Sequence, residues 1–379
     1  MKNLKIIIAS DSFKGSATSK EVANYIEKGI KKFYKKELQI IKIPIADGGD
    51  GTVEAIIEGT DGEYKYLEVF GPLRKTIQAK FGIFKNTAVL EMAEAAGINL
   101  LKKEELNPYI ASTFGVGQML KKILDLGIKN IYIGLGGSAT NDGGAGMLSA
   151  LGAKFYDINK NEIGYTPIEL EKLDRIDLKN LDKRLLETKI TVLSDVNNPL
   201  CGKNGASYIY GPQKGATPEM IEKLDNILKN YAEKINTNVG KDYSNEKGSG
   251  AAGGLGFALR SICNAEFKQG IMEIIKILNF ENRIKNSDLI ITGEGRIDNQ
   301  SVNGKTPIGI AKLAKKYNIP VIAVVGSSDI NLDEIYKNGI DLVIDIINEP
   351  ILLEEAITNT EKLIEFAGEK AIRAFCLKK

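Results

Sequence analysis

Short apolar runs that end in polar, glycine-rich loops and lead into amphipathic helices are the feature that most constrains this sequence. Residues 4–8 form the first apolar run, the loop SDSFKGSATS follows, and apolar residues then recur at helical spacing through residues 21–36. A second apolar run, residues 38–45, ends in ADGGDGT before a helical stretch at residues 53–58. This βαβα order predicts a parallel sheet with helices packed on its faces.

The middle of the chain departs from this order. From about residue 64, the runs YKYLEVF, TIQAKFGIF and TAVLEMA are short, alternate in polarity and are separated by turn residues, which predicts antiparallel hairpins. Strands and helices then alternate again. The pattern predicts a helix at 112–126, strands at 130–135, 190–194, 289–292, 321–325 and 342–346, and helices at 307–317, 332–337 and 352–376.

A chain of 379 residues exceeds the usual size of one core, so two domains are expected. The predicted fold class is α/β. Both chain ends, residues 1–66 and 286–379, are expected to form a doubly wound, Rossmann-like domain, and residues 67–285 an inserted second α/β domain. Ligands of such sheets bind outside the carboxyl ends of the strands, so we expect the active site in the interdomain cleft.

Charge and cysteine usage exclude several classes of function. Lys and Arg total 51 against 49 Asp and Glu, and a formal charge of +2 gives no field that would recruit nucleic acid or an acidic membrane. The three cysteines have no metal-ligand spacing, and no secretory signal or membrane-spanning run stands out. We therefore expect reduced thiols, a cytoplasmic protein, and neither nucleic-acid nor membrane partners. The sequence leaves the oligomeric state open.

The chain contains no histidine. Ser-His-Asp and Cys-His catalysis and histidine-rich zinc sites are therefore excluded. General acid or base chemistry must come from Asp, Glu or Lys, and oxygen ligands favour Mg²⁺ as the metal.

Six polar loops at strand ends or helix starts are where ligands are expected: SDSFKGS, ADGGDGT, GLGGSATNDGG, SDVNNP, GSGAAGGLG and TGEGRIDNQSVNGKT. Phosphoryl transfer needs carboxylates that hold Mg²⁺ and orient the attacking hydroxyl. Each carboxylate alone is more often a helix cap or turn former. Six of them nevertheless share this loop context: Asp47, Asp50, Asp142, Asp195, Glu294 and Asp298.

Basic residues near the loops are candidate anion ligands. The segment NQSVNGKT, which includes Gln300 and Lys305, misses the phosphate-loop pattern only at its first glycine, and Lys305 precedes a helix. Lys14 and Lys214 could likewise bind a carboxylate or phosphate. The alternative for each lysine is a solvated position on the surface.

GSGAAG at residues 248–253 satisfies GxGxxG, but the polar segment KDYSNEK precedes it where a dinucleotide site needs a strand. We reject the dinucleotide interpretation. Gly250, Gly253 and Gly254 instead predict a turn whose N–H groups approach phosphate closely, with a flexible linker as the alternative.

Several long strings together resemble the type I glycerate kinases: IIIASDSFKGS, IPIADGGDGTVEA, IGLGGSATNDGGAGML, SDVNNPLCGKNGA, YGPQKGATPEM, GSGAAGGLGFAL and TGEGRIDNQSVNGKTPIGIA. The resemblance covers almost the whole chain. It implies ATP-dependent phosphorylation of D-glycerate with Mg²⁺, usually to 2-phosphoglycerate, with 3-phosphoglycerate as the other product. It also implies a two-domain α/β fold with the active site in the interdomain cleft.

The resemblance does not assign roles to single residues, so the roles rest on phosphoryl-transfer chemistry. We predict Asp195 as base or metal ligand, with Asp47 and Lys14 also catalytic and Asp298 on the metal. The predicted substrate or phosphate ligands are Ser12, Ser138, Asn141, Asp142, Lys214, Gly250, Gly253, Gly254, Glu294, Gln300 and Lys305. Which carboxylate acts as the base is left open.

Two rival functions use the same architecture. An NAD(P)-dependent hydroxy-acid dehydrogenase would need a GxGxxG after a strand, which this sequence lacks. A non-enzymatic binding protein for a small hydroxy-acid would not need so many acidic loops.

Overall fold

The computed structural model describes residues 4–298, 301 and 305–377. The strands are β1 (Leu4–Ser10), β2 (Leu38–Lys42), β3 (Glu63–Phe70), β4 (Thr76–Phe84), β5 (Thr87–Glu91), β6 (Asn130–Gly134), β7 (Lys154–Tyr156), β8 (Glu162–Ile163), β9 (Arg175–Asp177), β10 (Lys189–Leu193), β11 (Glu266–Lys268), β12 (Leu289–Ile297), β13 (Val321–Ser328) and β14 (Leu342–Asp345). The α-helices are α1 (Ser19–Phe33), α2 (Thr52–Gly59), α3 (Ala93–Ala96), α4 (Phe114–Asp125), α5 (Ala145–Ala150), α6 (Pro167–Leu170), α7 (Ala206–Tyr210), α8 (Pro218–Val239), α9 (Leu255–Ser261), α10 (Gly270–Ile277), α11 (Phe280–Ile284), α12 (Thr306–Lys315), α13 (Asp333–Lys337), α14 (Leu353–Thr358) and α15 (Thr360–Cys376).

Backbone contacts divide the chain into two compact units. Unit 1 consists of Met1–Asp47, Glu54–Thr60 and Gln269–Lys379, and unit 2 consists of Gly48–Val53 and Asp61–Lys268. The domain division expected from the sequence, with boundaries at residues 66 and 286, stays a prediction. The two units are used below to describe the site.

Unit 1 contains a parallel sheet in the order β14-β13-β12-β1-β2. Successive side chains of a strand point to opposite faces, so both faces of a buried strand must be apolar. In β1, Ile6 and Ile8 pack in one core cluster with α1 and α15. Ile7 is equally buried on the other face, the side on which α12 contacts β1, β12 and β13. The sheet therefore has helices on both faces.

Helix α1 begins at Ser19 and ends at Phe33, so it starts two residues before the predicted stretch and ends three residues before its end. Thr18 accepts a hydrogen bond from the backbone N–H of Glu21, and the Glu21 carboxylate accepts one from the Thr18 N–H, which is a capping box. The apolar stripe of α1, including Val22 and Ile26, packs against the stripe of α15. Both chain ends thus contribute to one core.

Unit 2 contains a mixed sheet in the order β11-β10-β6-β5-β4-β3. The first four strands are parallel, and β4 and β3 continue the sheet as the predicted antiparallel hairpins. A second small sheet has the order β8-β7-β9. Helices α4, α5, α8 and α9 pack on the main sheet in one core cluster. The predicted α/β class with parallel sheets is confirmed.

Other sequence predictions differ from the structure. The predicted single helix at 352–376 is wrong, because Asn359 separates α14 from α15. The apolar run at 38–45 forms a strand only to Lys42. The sequence interpretation also missed α8, the 22-residue helix that supplies Leu228 and Tyr231 to the unit 2 core. Within residues 4–298, 301 and 305–377, no helix combines the length and the apolar character needed to cross a membrane.

Glu91, the last residue of β5, holds the start of α2. Its Oε1 accepts a hydrogen bond from the Val53 N–H (2.7 Å) and its Oε2 accepts one from the Gly51 N–H (3.2 Å). The first N–H groups of a helix have no partner within the helix, and a carboxylate there also complements the helix dipole. Burial nevertheless raises the pKa of Glu91 to about 7, with repulsion from Glu94 and Asp50 adding to the effect.

The raised pKa of Glu91 predicts a pH-dependent stability. Ionisation is easier in the unfolded chain, so the stability that Glu91 contributes is complete below pH 4.5 and is lost as the pH rises through about 7. Glu91→Gln mimics the protonated side chain. We expect its free energy of unfolding, relative to the wild type, to increase between pH 4.5 and 7 and then to level off. Urea denaturation at several pH values measures this difference.

Glu104→Gln is the matched control for this experiment, because Glu104 is exposed in the same unit. Its difference from the wild type should not change over this pH range. If the free energy of unfolding of Glu91→Gln relative to the wild type also does not change with pH, the Glu91 carboxylate ionises in the folded protein as it does in water.

Candidate active site

Three carboxylates, those of Asp11, Asp47 and Glu294, interact at the carboxyl edge of the unit 1 sheet; we call them the acidic cluster. Burial and the negative charge of Asp47 together raise the pKa of Asp11 to about 7, with burial the larger cause. Burial likewise raises the pKa of Glu294 to about 8, with Lys305 lowering it and both aspartates raising it. The fold therefore keeps repelling acidic groups close together, and a cation would relieve that repulsion.

Asp11 links the end of β1 to the start of α12. Its N–H donates to the Gly293 carbonyl oxygen (2.9 Å), its Oδ1 accepts from the Ser12 N–H (2.7 Å), and its Oδ2 accepts from the Thr306 hydroxyl (2.7 Å). In contrast, Glu294 Oε1 is buried and has no hydrogen-bond partner among the described residues. An unpaired buried carboxylate oxygen is costly to fold and is a candidate ligand atom.

Lys305 stands beside the acidic cluster, immediately before α12. Its Nζ lies 3.8 Å from Glu294 Oε2 and 3.8 Å from Asp298 Oδ1, and it donates to the Arg296 carbonyl oxygen (3.2 Å). Asp298 Oδ1 also accepts from the N–H (3.0 Å) and the hydroxyl (3.1 Å) of Ser301. Lys305 thus places a cation beside a group of carboxylates. Its predicted role as a phosphate ligand stays a prediction.

The remaining unit 1 predictions fall near this edge or outside the described residues. Ser12 and Lys14 lie in the loop between β1 and α1, where Ser12 is half-buried and Lys14 is exposed. Gln300 lies outside the described residues. The roles of Ser12, Lys14 and Gln300 stay predictions.

In unit 2, residues 135–144 form the loop that follows β6; we call this segment the Ser138 loop. A buried lysine from elsewhere in the chain, Lys214, contacts it. Lys214 is only 1% exposed, and its Nζ donates to Ser138 Oγ (2.7 Å) and to the Thr140 carbonyl oxygen (2.7 Å). Burial lowers the pKa of Lys214 to about 7, against the attraction of Asp142. The alternative of a solvated surface lysine is therefore wrong for Lys214.

Asp142 and Asn141 are fully buried in the same loop. The Asp142 carboxylate accepts from the N–H and hydroxyl of Thr113 (2.7 and 2.8 Å) and from the N–H groups of Gly144 (3.1 Å) and Gly146 (3.2 Å). Asn141 Nδ2 donates to Ser207 Oγ (2.9 Å), whereas Asn141 Oδ1 has no partner among the described residues. The hydrogen bonds of Asp142 thus hold the loop to the start of α4.

Two more predicted segments lie at the same edge of the unit 2 sheet. A Cβ atom on Gly48 would lie 2.8 Å from the Leu193 carbonyl oxygen, so the segment beginning at Gly48 passes directly over the end of β10. Asp195 follows β10 and is half-buried. Its place at a strand end is where the sequence analysis expected a catalytic carboxylate.

The glycine loop, residues 248–254, packs against the Ser138 loop. Gly253 has a φ of +67°, its carbonyl oxygen accepts from the Gly143 N–H (3.0 Å), and a Cβ atom on it would lie 1.9 Å from the Thr140 carbonyl oxygen. A Cβ atom on Gly250 would lie 2.3 Å from the Pro199 carbonyl oxygen, and one on Gly254 would lie 2.8 Å from Gly143 Cα. Close backbone packing is thus a physical reason for these glycines, and their predicted phosphate contacts stay predictions.

The sequence analysis missed Asp11 and Glu91 as site residues. Asp11 carried the same signal as the residues it selected, because it directly follows an apolar strand. Glu91 carried a different signal: it is the one charged residue of the run TAVLEMA. In both cases the buried environment could not be read from the sequence.

The donor atoms of the acidic cluster are suited to a hard cation such as Mg²⁺. Within the described residues, no set of three or more Asp, Glu or Cys side chains is arranged as a metal site by itself. Mg²⁺ commonly binds through one or two carboxylates and completes its shell with water and substrate phosphates. The unpaired Glu294 Oε1 and the raised pKa values of Asp11 and Glu294 fit a cation held in that way.

Residues 6–376 match a protein family described as the glycerate kinase family. The chain is 47% identical to glycerate 2-kinase of Escherichia coli K12 over 355 residues, which is 93% of each chain. It is 42% identical to a glycerate kinase of Haemophilus influenzae, over 99% of this chain and 100% of the relative.

A solved structure has the same fold. The crystal structure of a Salmonella typhimurium LT2 protein, provisionally called glycerate kinase 2, matches with a TM-score of 0.84 and 42% identity. The match covers 100% of this chain and 99% of that chain.

The packing of the glycine loop predicts a stability difference between two glycine substitutions. Gly253 and Gly127 both have a left-handed φ, +67° and +75°, but a Cβ atom on Gly127 meets nothing within 4 Å. Gly127→Ala should cost only backbone strain, about 1–2 kcal/mol. Gly253→Ala adds a collision with the Thr140 carbonyl and should cost about 2–5 kcal/mol. Urea denaturation of both variants measures their free energies of unfolding. Equal losses of stability would show that the glycine loop shifts to accommodate the added Cβ atom at little cost.

Proposed function

The chain belongs to the glycerate kinase family, and we propose that it transfers the γ-phosphoryl group of ATP to D-glycerate, yielding ADP and 2-phosphoglycerate. The observation that carries the proposal is the match over residues 6–376, which includes every acidic and glycine-rich loop discussed above. One relative is named glycerate 2-kinase, and this name supports the 2-hydroxyl as the acceptor.

The chemistry of the two edges supports this function. Phosphoryl transfer requires anionic substrates to be held, negative charge to be neutralised, and the acceptor hydroxyl to be oriented or deprotonated. The carboxyl edge of the unit 1 sheet carries the acidic cluster with Lys305 and Asp298, groups suited to charge neutralisation. The carboxyl edge of the unit 2 sheet carries the Ser138 loop and Asp195, groups suited to anion binding and proton transfer. In a chain without histidine, a carboxylate is the natural base, and we assign that role to Asp195.

Mg²⁺ is part of this proposal. Asp47 and Asp298 would hold the ion, with Asp11 and Glu294 beside them at the same sheet edge. When bound, Mg²⁺ would neutralise charge on the nucleotide phosphates. The protein would also need Lys305 to balance charge, because its ammonium group already lies between two of these carboxylates.

The proposed reaction predicts substrate-dependent release of ADP. Purified protein supplied with ATP, Mg²⁺ and D-glycerate should release ADP in a coupled assay, and omission of D-glycerate is the control. Phosphorus NMR of the product should show 2-phosphoglycerate. No ADP above the control, from protein shown by circular dichroism to be folded, would refute the kinase proposal; 3-phosphoglycerate would refute only the assigned position.

The base role predicts the effect of one substitution. Asp195→Asn keeps the size of the side chain but removes the proton acceptor, so turnover should fall roughly 10²- to 10⁴-fold. The KM values for both substrates and the unfolding midpoint should change little. Asp61→Asn is the control, since Asp61 is an exposed aspartate of the same unit. Turnover within a few-fold of the wild type would remove Asp195 from the catalytic residues.

A further inference from the structure

Lys214 is buried beneath the Ser138 loop, and its two hydrogen bonds define how that loop presents its polar groups. The ammonium group carries three hydrogens and no lone pair, so it can only donate. It donates to the Thr140 carbonyl oxygen and to Ser138 Oγ, each at 2.7 Å. When Lys214 is protonated, Ser138 Oγ is therefore the acceptor in this contact, and the hydrogen of its own hydroxyl points elsewhere.

Within the part of the chain that the structure describes, the Ser138 hydroxyl donates to no acceptor. Ser138 is 8% exposed, so its hydroxyl retains limited access, whereas Thr140 and Asn141 are completely enclosed. Buried hydroxyl groups usually find an acceptor, and an exception needs a reason. A hydroxyl held as a donor at the carboxyl end of a parallel strand is suited to an anionic oxygen.

The rest of the Ser138 loop shows why a lysine is needed. Asn141 Nδ2 and Asp142 hold the later part of the loop, whereas Thr140 Oγ1 and Asn141 Oδ1 are buried without hydrogen-bond partners among the described residues. Backbone contacts hold its neighbours, through the Ala139 N–H to the Ala96 carbonyl oxygen (2.9 Å). Lys214 supplies the side-chain contacts at Ser138 and Thr140. Burying a charged lysine costs free energy, so an apolar residue would fill this space better if packing were the only role of Lys214.

We infer that Lys214 is a positioning residue that orients the Ser138 hydroxyl as a hydrogen-bond donor to an anionic oxygen of a bound substrate. Lys214 does not contact the substrate in this arrangement. The anionic oxygen belongs either to the carboxylate of the hydroxy-acid or to a phosphate of the nucleotide. The inference rests on the proposed kinase function and adds a role for two of its residues.

The test is a double-mutant cycle in the full chain with Ser138→Ala, Lys214→Met and the double variant. Steady-state kinetics are measured at pH 6.5, where the ammonium form of Lys214 predominates. Ser138→Ala removes the donor and Lys214→Met removes its orientation. Each single variant should raise one KM roughly 10- to 100-fold, with kcat changed much less. The double variant should be no worse than the single variants, because both remove the same contact.

The KM that rises identifies the source of the anionic oxygen. A rise for D-glycerate assigns it to the carboxylate, and a rise for ATP assigns it to a phosphate. Calorimetric titration of the variants with D-glycerate and with ATP should show the same weakening. Ser138→Thr keeps the hydroxyl and should restore much of the lost affinity, whereas Lys223→Met, at an exposed lysine of the same unit, should behave like the wild type.

Several outcomes would overturn the inference. One is unchanged KM values in a folded Ser138→Ala protein, a result that does not depend on whether Lys214→Met folds. Another is a Lys214→Met protein in which kcat or the folded fraction falls instead of KM rising, with an effect that adds in full to that of Ser138→Ala in the double variant. That result is expected of a lysine with a purely structural role. A different result would separate the two proposals. If the wild-type protein releases no ADP, but calorimetry shows that Ser138→Ala weakens the binding of D-glycerate or ATP, the proposed kinase function is refuted and the positioning role remains.

Discussion

Burial of ionisable side chains near the carboxyl ends of parallel strands is the constraint on which the candidate residues of each unit depend. Asp11 and Glu294 in unit 1 and Glu91 and Lys214 in unit 2 all have pKa values displaced toward neutrality, and loss of hydration is the largest cause in each case. Such burial lowers stability unless hydrogen bonds or opposite charges offset it. The surrounding sheets must therefore supply a surplus of apolar packing.

The two units offset this cost in different ways. In unit 2, Glu91 and Lys214 each make two hydrogen bonds of their own, to backbone N–H groups or to a hydroxyl and a carbonyl oxygen. In unit 1, repulsion between carboxylates persists and Glu294 Oε1 stays unpaired among the described residues. The unit 2 groups are thus largely satisfied within the protein. In the acidic cluster, hydrogen bonds satisfy Asp11 and Lys305 lies beside Glu294, but these contacts offset the repulsion only in part.

The parts of this arrangement that the sequence predicted were those encoded locally. Apolar runs and turn residues predicted β1, β12 and β13, and the rule that ligands bind at the carboxyl ends of strands selected Asp47, Glu294 and Ser138. The resemblance to glycerate kinases was confirmed by the family match. The roles of individual site residues stay predictions, because residue roles depend on ligands that a sequence pattern does not show.

The parts that the sequence could not predict depend on tertiary packing. The lysine in GPQKGATPE looks like a surface residue, and only its position beneath the Ser138 loop reveals Lys214 as buried. GSGAAG similarly has the composition of a flexible linker or an anion cradle, yet Gly253 lies against the Thr140 carbonyl. The break between α14 and α15 at Asn359 lies in the polar stretch TNTEK, which the prediction of one continuous helix did not take into account.

The absence of histidine gives the buried carboxylates a further significance. A protein that needs a group titrating near neutral pH usually has an imidazole for it, since its unperturbed pKa is already close. This chain has none. Burial is the largest cause that raises the pKa of Asp11 to about 7 and the pKa of Glu294 to about 8. The fold itself therefore gives these groups pKa values in the range of a histidine side chain. The raised pKa values of these two carboxyl groups are therefore a consequence of how the unit 1 sheet packs around them, and they return to their ordinary values when the chain unfolds.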